Sequence, residues 1–234
     1  MTDAPSFPGP EPLQIGMVVY PGLTLLDLIG PQTALGMHGV THLVAERLEP
    51  VLSDSGIALI PTTTYEQCPK DLDVLFVPGG MGTADAMEDV RLLAFLRSRA
   101  ATARYVTSVC SGSLILAAAG LLQGYRATTH WTSLDVLAAF GVSAETARVV
   151  RDRNRLTGGG VTAGIDFGLV LLAELRGEPI ARLTQLAMEY DPQPPFDAGS
   201  PASAGAETVA LARQFVAPVH ARTARIAKGW QAPS

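Results

Sequence analysis

The sequence predicts an α/β protein with a mostly parallel sheet covered by helices on both faces, and three observations carry that expectation. Continuous apolar runs end abruptly at turn residues: 14–20 (QIGMVVY) at Pro21-Gly22, 73–77 (DVLFV) at Pro78-Gly79-Gly80, and 104–109 (RYVTSV) at Cys110. Runs without alternation belong to strands buried on both faces, which parallel sheets require. Helical patterns lie between them, at 26–38 and at 84–101, where Met87, Leu92, Leu93, Phe95 and Leu96 share one broad apolar face. The connections are short and contain glycine, as right-handed βαβ crossovers need.

The remaining elements follow in order. Residues 41–46 and 51–53 have the composition of short strands, and 126–129 and 149–157 add others. After Gly158-Gly159-Gly160 the period turns helical over 162–175 and again over 178–190, where DPQPP ends it. A Pro/Gly/Ser-rich excursion at 192–205 precedes a last helix at 206–230, rich in Ala and Arg. We see no internal repeat and no domain-sized break in composition. The expected organisation is a flexible leader over 1–12, one α/β domain over 13–191, and a loop with a helical extension of that domain over 192–234.

Composition limits the function classes. With 234 residues, 47% of them apolar and 17% charged, the chain can bury a substantial core. A net charge of −5 without a basic stripe argues against nucleic acid. The leader MTDAPSFPGPEP lacks the basic and apolar regions of a signal peptide. The longest apolar stretch, 158–175, is interrupted by Asp166, so no membrane span is expected. Two cysteines, Cys68 and Cys110, make no disulfide framework, which points to a reducing cytoplasm. No Cys/His/carboxylate cluster has metal-ligand spacing and no Gly-rich loop matches a phosphate cradle, so no metal or cofactor is expected.

Chemistry concentrates at Cys110. In an open parallel sheet, ligands gather beyond the carboxyl ends of the strands. Cys110 sits at such an end, and Ser111-Gly112-Ser113 opens a helix at once, placing free N–H groups and the positive helix end beside the sulfur. Gly112 lets the chain double back, the mechanics of a nucleophile elbow. The alternative is a buried core thiol. Cys68, in a polar loop, reads as structural.

A thiolate needs a proton partner. Asp27 stands among Leu25, Leu26, Leu28 and Ile29, where an ionised carboxylate is expensive to bury. It is either a helix N-cap or a cleft acid, in which burial and a neighbouring thiolate raise its pKa and keep it protonated. Gly79 and Gly80 can aim an N–H at an oxyanion or imidate nitrogen, or simply make a tight turn. His130, in ATTHW, is a candidate partner of Cys110 or a packing histidine.

PGG after an early strand, VTSVCSGSLILAAAGLL, RATTHW and LTGGGVTAGIDFGLVLLAEL resemble, in that order, the ThiJ/PfpI group of class I glutamine-amidotransferase-like proteins, over about 14–190. Within that group YPGLTLLDLIGP, with aspartate at 27, and EYDPQPPFDAGSP are similar to isonitrile hydratases, which add water to an isonitrile to give an N-substituted formamide. The resemblance implies a flavodoxin-like three-layer sandwich, a homodimer and a cofactor-free reaction on a small molecule. It makes Cys110 the nucleophile, Asp27 the cleft carboxyl and Ser111 the hydroxyl after the cysteine. The hydratase pattern has threonine at that last position. Val161, in GGGVTAG, falls where the pattern has a branched apolar residue and is expected to pack near the cysteine.

Two other readings share these features. A glyoxalase- or deglycase-like enzyme on small aldehydes also uses a cleft cysteine and a carboxylate, usually glutamate. A non-enzymatic sensor related to AraC-type regulators carries the ATTHW pattern but continues into a helix-turn-helix region.

Overall fold

A computed structural model of the chain describes residues 11–232; most of the leader expected at 1–12 lies outside them. The strands are β1 (Leu13–Val18), β2 (Gly39–Ala45), β3 (Val51–Leu52), β4 (Ala58–Leu59), β5 (Thr63–Thr64), β6 (Val74–Val77), β7 (Tyr105–Val109), β8 (Arg126–Ala127), β9 (Ser143–Ala144), β10 (Val149–Asp152) and β11 (Arg155–Gly158). The helices are α1 (Leu25–Leu35), α2 (Thr83–Glu88), α3 (Val90–Ala100), α4 (Gly112–Ala118), α5 (Leu134–Ala139), α6 (Ala163–Arg176), α7 (Glu178–Ala187) and α8 (Ala206–Gly229).

Seven strands form the main sheet in the order β10-β11-β7-β6-β1-β2-β5, all parallel except the β10–β11 pair at one edge. β6 and β7 are buried at every position, which is why their sequences show no alternation. The helices form two packed groups, as a three-layer α/β sandwich requires: α1 packs on α6 and α6 on α7, while α4 meets α2, α3 and α5. Phe76 of β6 and Phe167 of α6, both fully buried with centroids 5.6 Å apart, tie one group to the sheet. Among the described residues, no helix is long and apolar enough to cross a membrane.

Chain order then fixes where a ligand can sit. β1 is followed by β2 and β5 on one side, and the chain returns to β6 on the other, so the order reverses between β1 and β6. The crevice beyond the carboxyl ends of strands at such a reversal is the site the topology creates. Asp27 follows β1, Gly79 and Gly80 follow β6, and Cys110 follows β7.

Two segments depart from expectation. The pattern at 84–101 is two helices, because Asp89 leaves the helical conformation (ψ 99°) and caps α3, accepting from the N–H groups of Arg91 at 2.9 Å and Leu92 at 3.1 Å. The stretch 149–157 holds an antiparallel hairpin that turns at Arg153, a non-glycine residue at φ 54°.

Candidate active site

The site is built on a sharp corner. Cys110, the residue between β7 and α4, has φ 57°, a left-handed conformation that costs a non-glycine residue about 1–3 kcal/mol. Main-chain bonds hold it there. Its N–H is shared between the carbonyls of Gly158 and Gly159 at 3.0 and 2.8 Å, and its carbonyl accepts from Ser113 Oγ at 3.1 Å and Thr129 Oγ1 at 3.0 Å. The corner also needs glycines around it. A Cβ on Gly112 would stand 2.2 Å from the Val77 carbonyl oxygen, and one on Gly79 would stand 2.5 Å from the Ser111 nitrogen.

Asp27 meets this corner from β1. It lies in the first turn of α1, and Thr24 rather than Asp27 occupies the N-cap position, which removes the capping alternative. The carboxyl is fully buried. Its Oδ2 accepts the Gly79 N–H at 2.9 Å, and Oδ1 has no hydrogen bond of normal geometry. The Cys110 thiol is close enough for each group to shift the other. Burial pushes the Asp27 pKa up to about 7, against the Gly79 N–H and the thiol, which favour the charged form. The like charge that helps to raise it comes from Asp54, not from Cys110.

Cys110 corrects one expectation. The helix end behind it does not leave the thiol acidic: burial, and then the Asp27 charge, push its pKa well above the ordinary thiol value, against the Ser111 and Val161 main-chain N–H groups. Repulsion from a neighbouring carboxylate acts only while that carboxylate is ionised. The two groups therefore titrate as a pair, and the form holding one proton exists as thiol with carboxylate or as thiolate with carboxylic acid.

The two glycine amides do not point into free space. Gly79 N–H serves Asp27, and Gly80 N–H donates to Ser111 Oγ at 3.1 Å, so neither is free for an oxyanion; each has turned to the nearest buried acceptor. Thr83, which sequence reasoning missed, completes the arrangement. Its fully buried hydroxyl donates to the Gly80 carbonyl at 2.7 Å and lies 2.7 Å from Ser111 Oγ. With the Thr83 hydrogen on Gly80, the Ser111 hydrogen goes to Thr83, and Ser111 offers a lone pair to the cavity. With the Thr83 hydrogen turned to Ser111, the Ser111 hydrogen is free to donate.

A cavity of about 310 Å³ opens over the sulfur, lined by Cys110, Ser111, Gly80, His130 and Val161 among others. His130 is on this wall but is not paired with Cys110: its Nδ1 lies 2.7 Å from Thr132 Oγ1, and burial lowers its pKa. Val161 stands near the cysteine as expected, with its N–H turned to the sulfur.

A fully buried carboxyl beside a cysteine at a left-handed corner, under a largely apolar cavity at the strand-order reversal of a parallel sheet, defines a cysteine-centred α/β protein. The chain belongs to the DJ-1/PfpI family, whose profile matches residues 14–174. It is 54% identical over 208 residues to the isonitrile hydratase of Pseudomonas putida, covering 88% of this chain and 91% of that protein. The crystal structure of a ThiJ/PfpI family protein from Pseudomonas syringae superimposes with a TM-score of 0.91 at 50% identity, covering 97% of this chain and 98% of that one. The HTH-type transcriptional regulator GbdR of Pseudomonas aeruginosa is 30% identical over 192 residues, and the match covers 52% of that regulator.

Proposed function

We propose that this protein is an isonitrile hydratase in which Cys110 is the nucleophile, Asp27 the acid and base, and the Cys110 corner a nucleophile elbow. The observation that carries the reading is the fully buried Asp27 carboxyl beside the sulfur, with a pKa near 7, where one group both gives and takes protons. The similarity to the Pseudomonas putida hydratase supports it.

The steps close on atoms and protons. The thiolate adds to the terminal isonitrile carbon while Asp27 protonates that same carbon, giving a thioimidate, Cys–S–CH=N–R. Water then attacks the carbon, and one of its protons passes through the Asp27 carboxylate to the nitrogen. The resulting S–CH(OH)–NHR adduct collapses: the C–S bond breaks with its electron pair going to sulfur, and the hydroxyl proton returns to Asp27. The formamide leaves, and the pair again holds one proton.

Ser111 serves both halves. It accepts a hydrogen bond from the attacking water and donates one to the nitrogen, and Thr83 sets which hydrogen it offers. Thr83→Val is expected to lower kcat about 5- to 10-fold, the worth of one hydrogen bond, with little change in KM; Thr83→Ser restores it. Steady-state kinetics on the three proteins check this.

We also read the protein as a cytoplasmic homodimer acting on a small molecule, without metal or cofactor and without binding nucleic acid or membrane. Its two cysteines are free, which fits a reducing compartment. Residues 192–234 are read as part of the same domain, since α8 packs on α2 and α5.

The test is to incubate the purified protein with one alkyl and one aryl isonitrile and follow formamide by mass spectrometry. Formamide from both is expected. A protein that leaves both isonitriles intact but consumes a 2-oxoaldehyde would be an aldehyde enzyme instead.

A further inference from the structure

The family profile ends at residue 174, and α8 lies wholly beyond it, yet α8 builds much of the cavity wall. The half-buried Val216 and Val219, with the largely exposed Phe215 beside them, supply part of its apolar lining, alongside Met81, Leu114 and Val161 from the family core. Among the described residues, no lysine or arginine lines this cavity, whereas Asp54 does. His220, also on the wall, has its Nε2 engaged by both Asp135 carboxylate oxygens, at 3.1 and 3.0 Å.

The wall is anchored at several points. Arg222 reaches Asp85 and Glu88 of α2, His220 reaches Asp135 of α5, and Trp230 Nε1–H donates to the Ala118 carbonyl at 3.0 Å beside Phe140. A helix fixed in this way can measure size, because its side chains cannot retreat far from a bulky guest. A volume of about 310 Å³ is at the lower end for ligand sites, roughly 300–1,000 Å³.

We infer that α8 forms the subsite for the isonitrile's carbon substituent, and that it selects an uncharged, apolar group the size of one ring or a branched alkyl, with Val219 as a specificity-determining residue. The inference rests on the hydratase reading and adds which segment of the chain chooses the substrate. The family core supplies bond making and proton transfer, common to every R–N≡C. The appended helix sees only R. A substituent bearing a carboxylate meets Asp54 without a counter-charge and is disfavoured.

The experiment measures kcat/KM for methyl, cyclohexyl and 1-adamantyl isonitrile, and for isocyanoacetate against its ethyl ester, in the parent, Val219→Phe and Val219→Ala. Filling the subsite with phenylalanine is expected to lower the cyclohexyl-to-methyl ratio of kcat/KM by about 10-fold or more. Alanine is expected to raise the adamantyl-to-methyl ratio, and the parent to prefer the ester over the free acid. Val219→Ala keeps the test open should the phenylalanine variant fold poorly. Ratios unchanged in both variants, or a preference for the acid, overturn the subsite while leaving the hydratase intact. A parent that converts none of the isonitriles overturns the hydratase reading and the subsite with it.

Discussion

Cys110→Ala and Cys110→Ser are expected to abolish isonitrile hydration, by at least about 10³-fold in kcat/KM, because no other group on the cavity wall can form and release the covalent thioimidate. Serine keeps the shape but replaces a polarisable sulfur with a hydroxyl whose much higher pKa leaves it protonated beside Asp27. In the parent, acid-quenched intact-mass spectra during turnover are expected to show a species heavier by the mass of one isonitrile, absent from both variants. The backbone supplies a second, independent readout. Cys110 has φ 57°, so Cys110→Gly is expected to be more stable than Cys110→Ala by about 1 kcal/mol, both lacking the sulfur while only glycine is at ease in that conformation. Denaturation in urea measures the difference. Formamide production at the parental rate by the alanine variant would remove the covalent route.

Much of the fold, and the place where a candidate site can form, is legible in the sequence for a physical reason. Strands buried on both faces must be apolar throughout, so 14–20, 73–77 and 104–109 marked their own ends, and in a parallel sheet those ends carry the chemistry. Asp27 stood out because an acid among leucines must be either turned away or used. What stayed hidden has equally physical causes. The hairpin at 149–158 turns without glycine: Arg153 is held at φ 54° by its bond to the Gly124 carbonyl and by stacking on the Tyr125 ring at 3.6 Å, both from a distant segment. The break at Asp89 was masked because the apolar face continues across it, with Met87 before and Leu92, Phe95 and Leu96 after all buried. Thr83 sits at the start of a helix, where threonine is ordinary, and its hydroxyl matters only because β7 and α4 bring Ser111 alongside. The Val161 N–H is a main-chain group that any residue but proline would supply. The use of Gly79 and Gly80 amides to hold Asp27 and Ser111, rather than an intermediate, depends on distances no sequence shows. α8 is more than ninety residues from Cys110 in the chain, and nothing in its composition tells which cavity it covers.

Asp27→Asn is expected to lower kcat/KM by about 10²–10⁴-fold, since an amide keeps the volume and accepts the Gly79 N–H but carries no proton to the isonitrile carbon. The pH dependence separates this role from a merely structural one. At low pH the Asp27–Cys110 pair holds two protons and contains no thiolate. As pH rises through about 7 it loses one, and the reactive singly protonated form appears. Parental kcat/KM is therefore expected to climb through pH 7 and hold until the thiol itself titrates, well above its ordinary range. The limb near 7 should be missing from any residual activity of the variant. Stability moves the opposite way. A carboxyl whose pKa is raised in the folded state binds its proton more tightly there than in the unfolded chain, so stability falls as pH rises between about 4 and 7 and stays reduced above. A rise from 3.8 to about 7 corresponds to roughly 4 kcal/mol as an upper limit. Asparagine removes that burden, so the variant is expected to be more stable than the parent at pH 8 by about 1–3 kcal/mol, with the gap closing toward pH 4. Urea unfolding of both proteins across this range measures it. A gap that does not change with pH, together with more than about a tenth of parental activity in the variant, would mean that the buried acid is neither strained by ionisation nor needed for the proton.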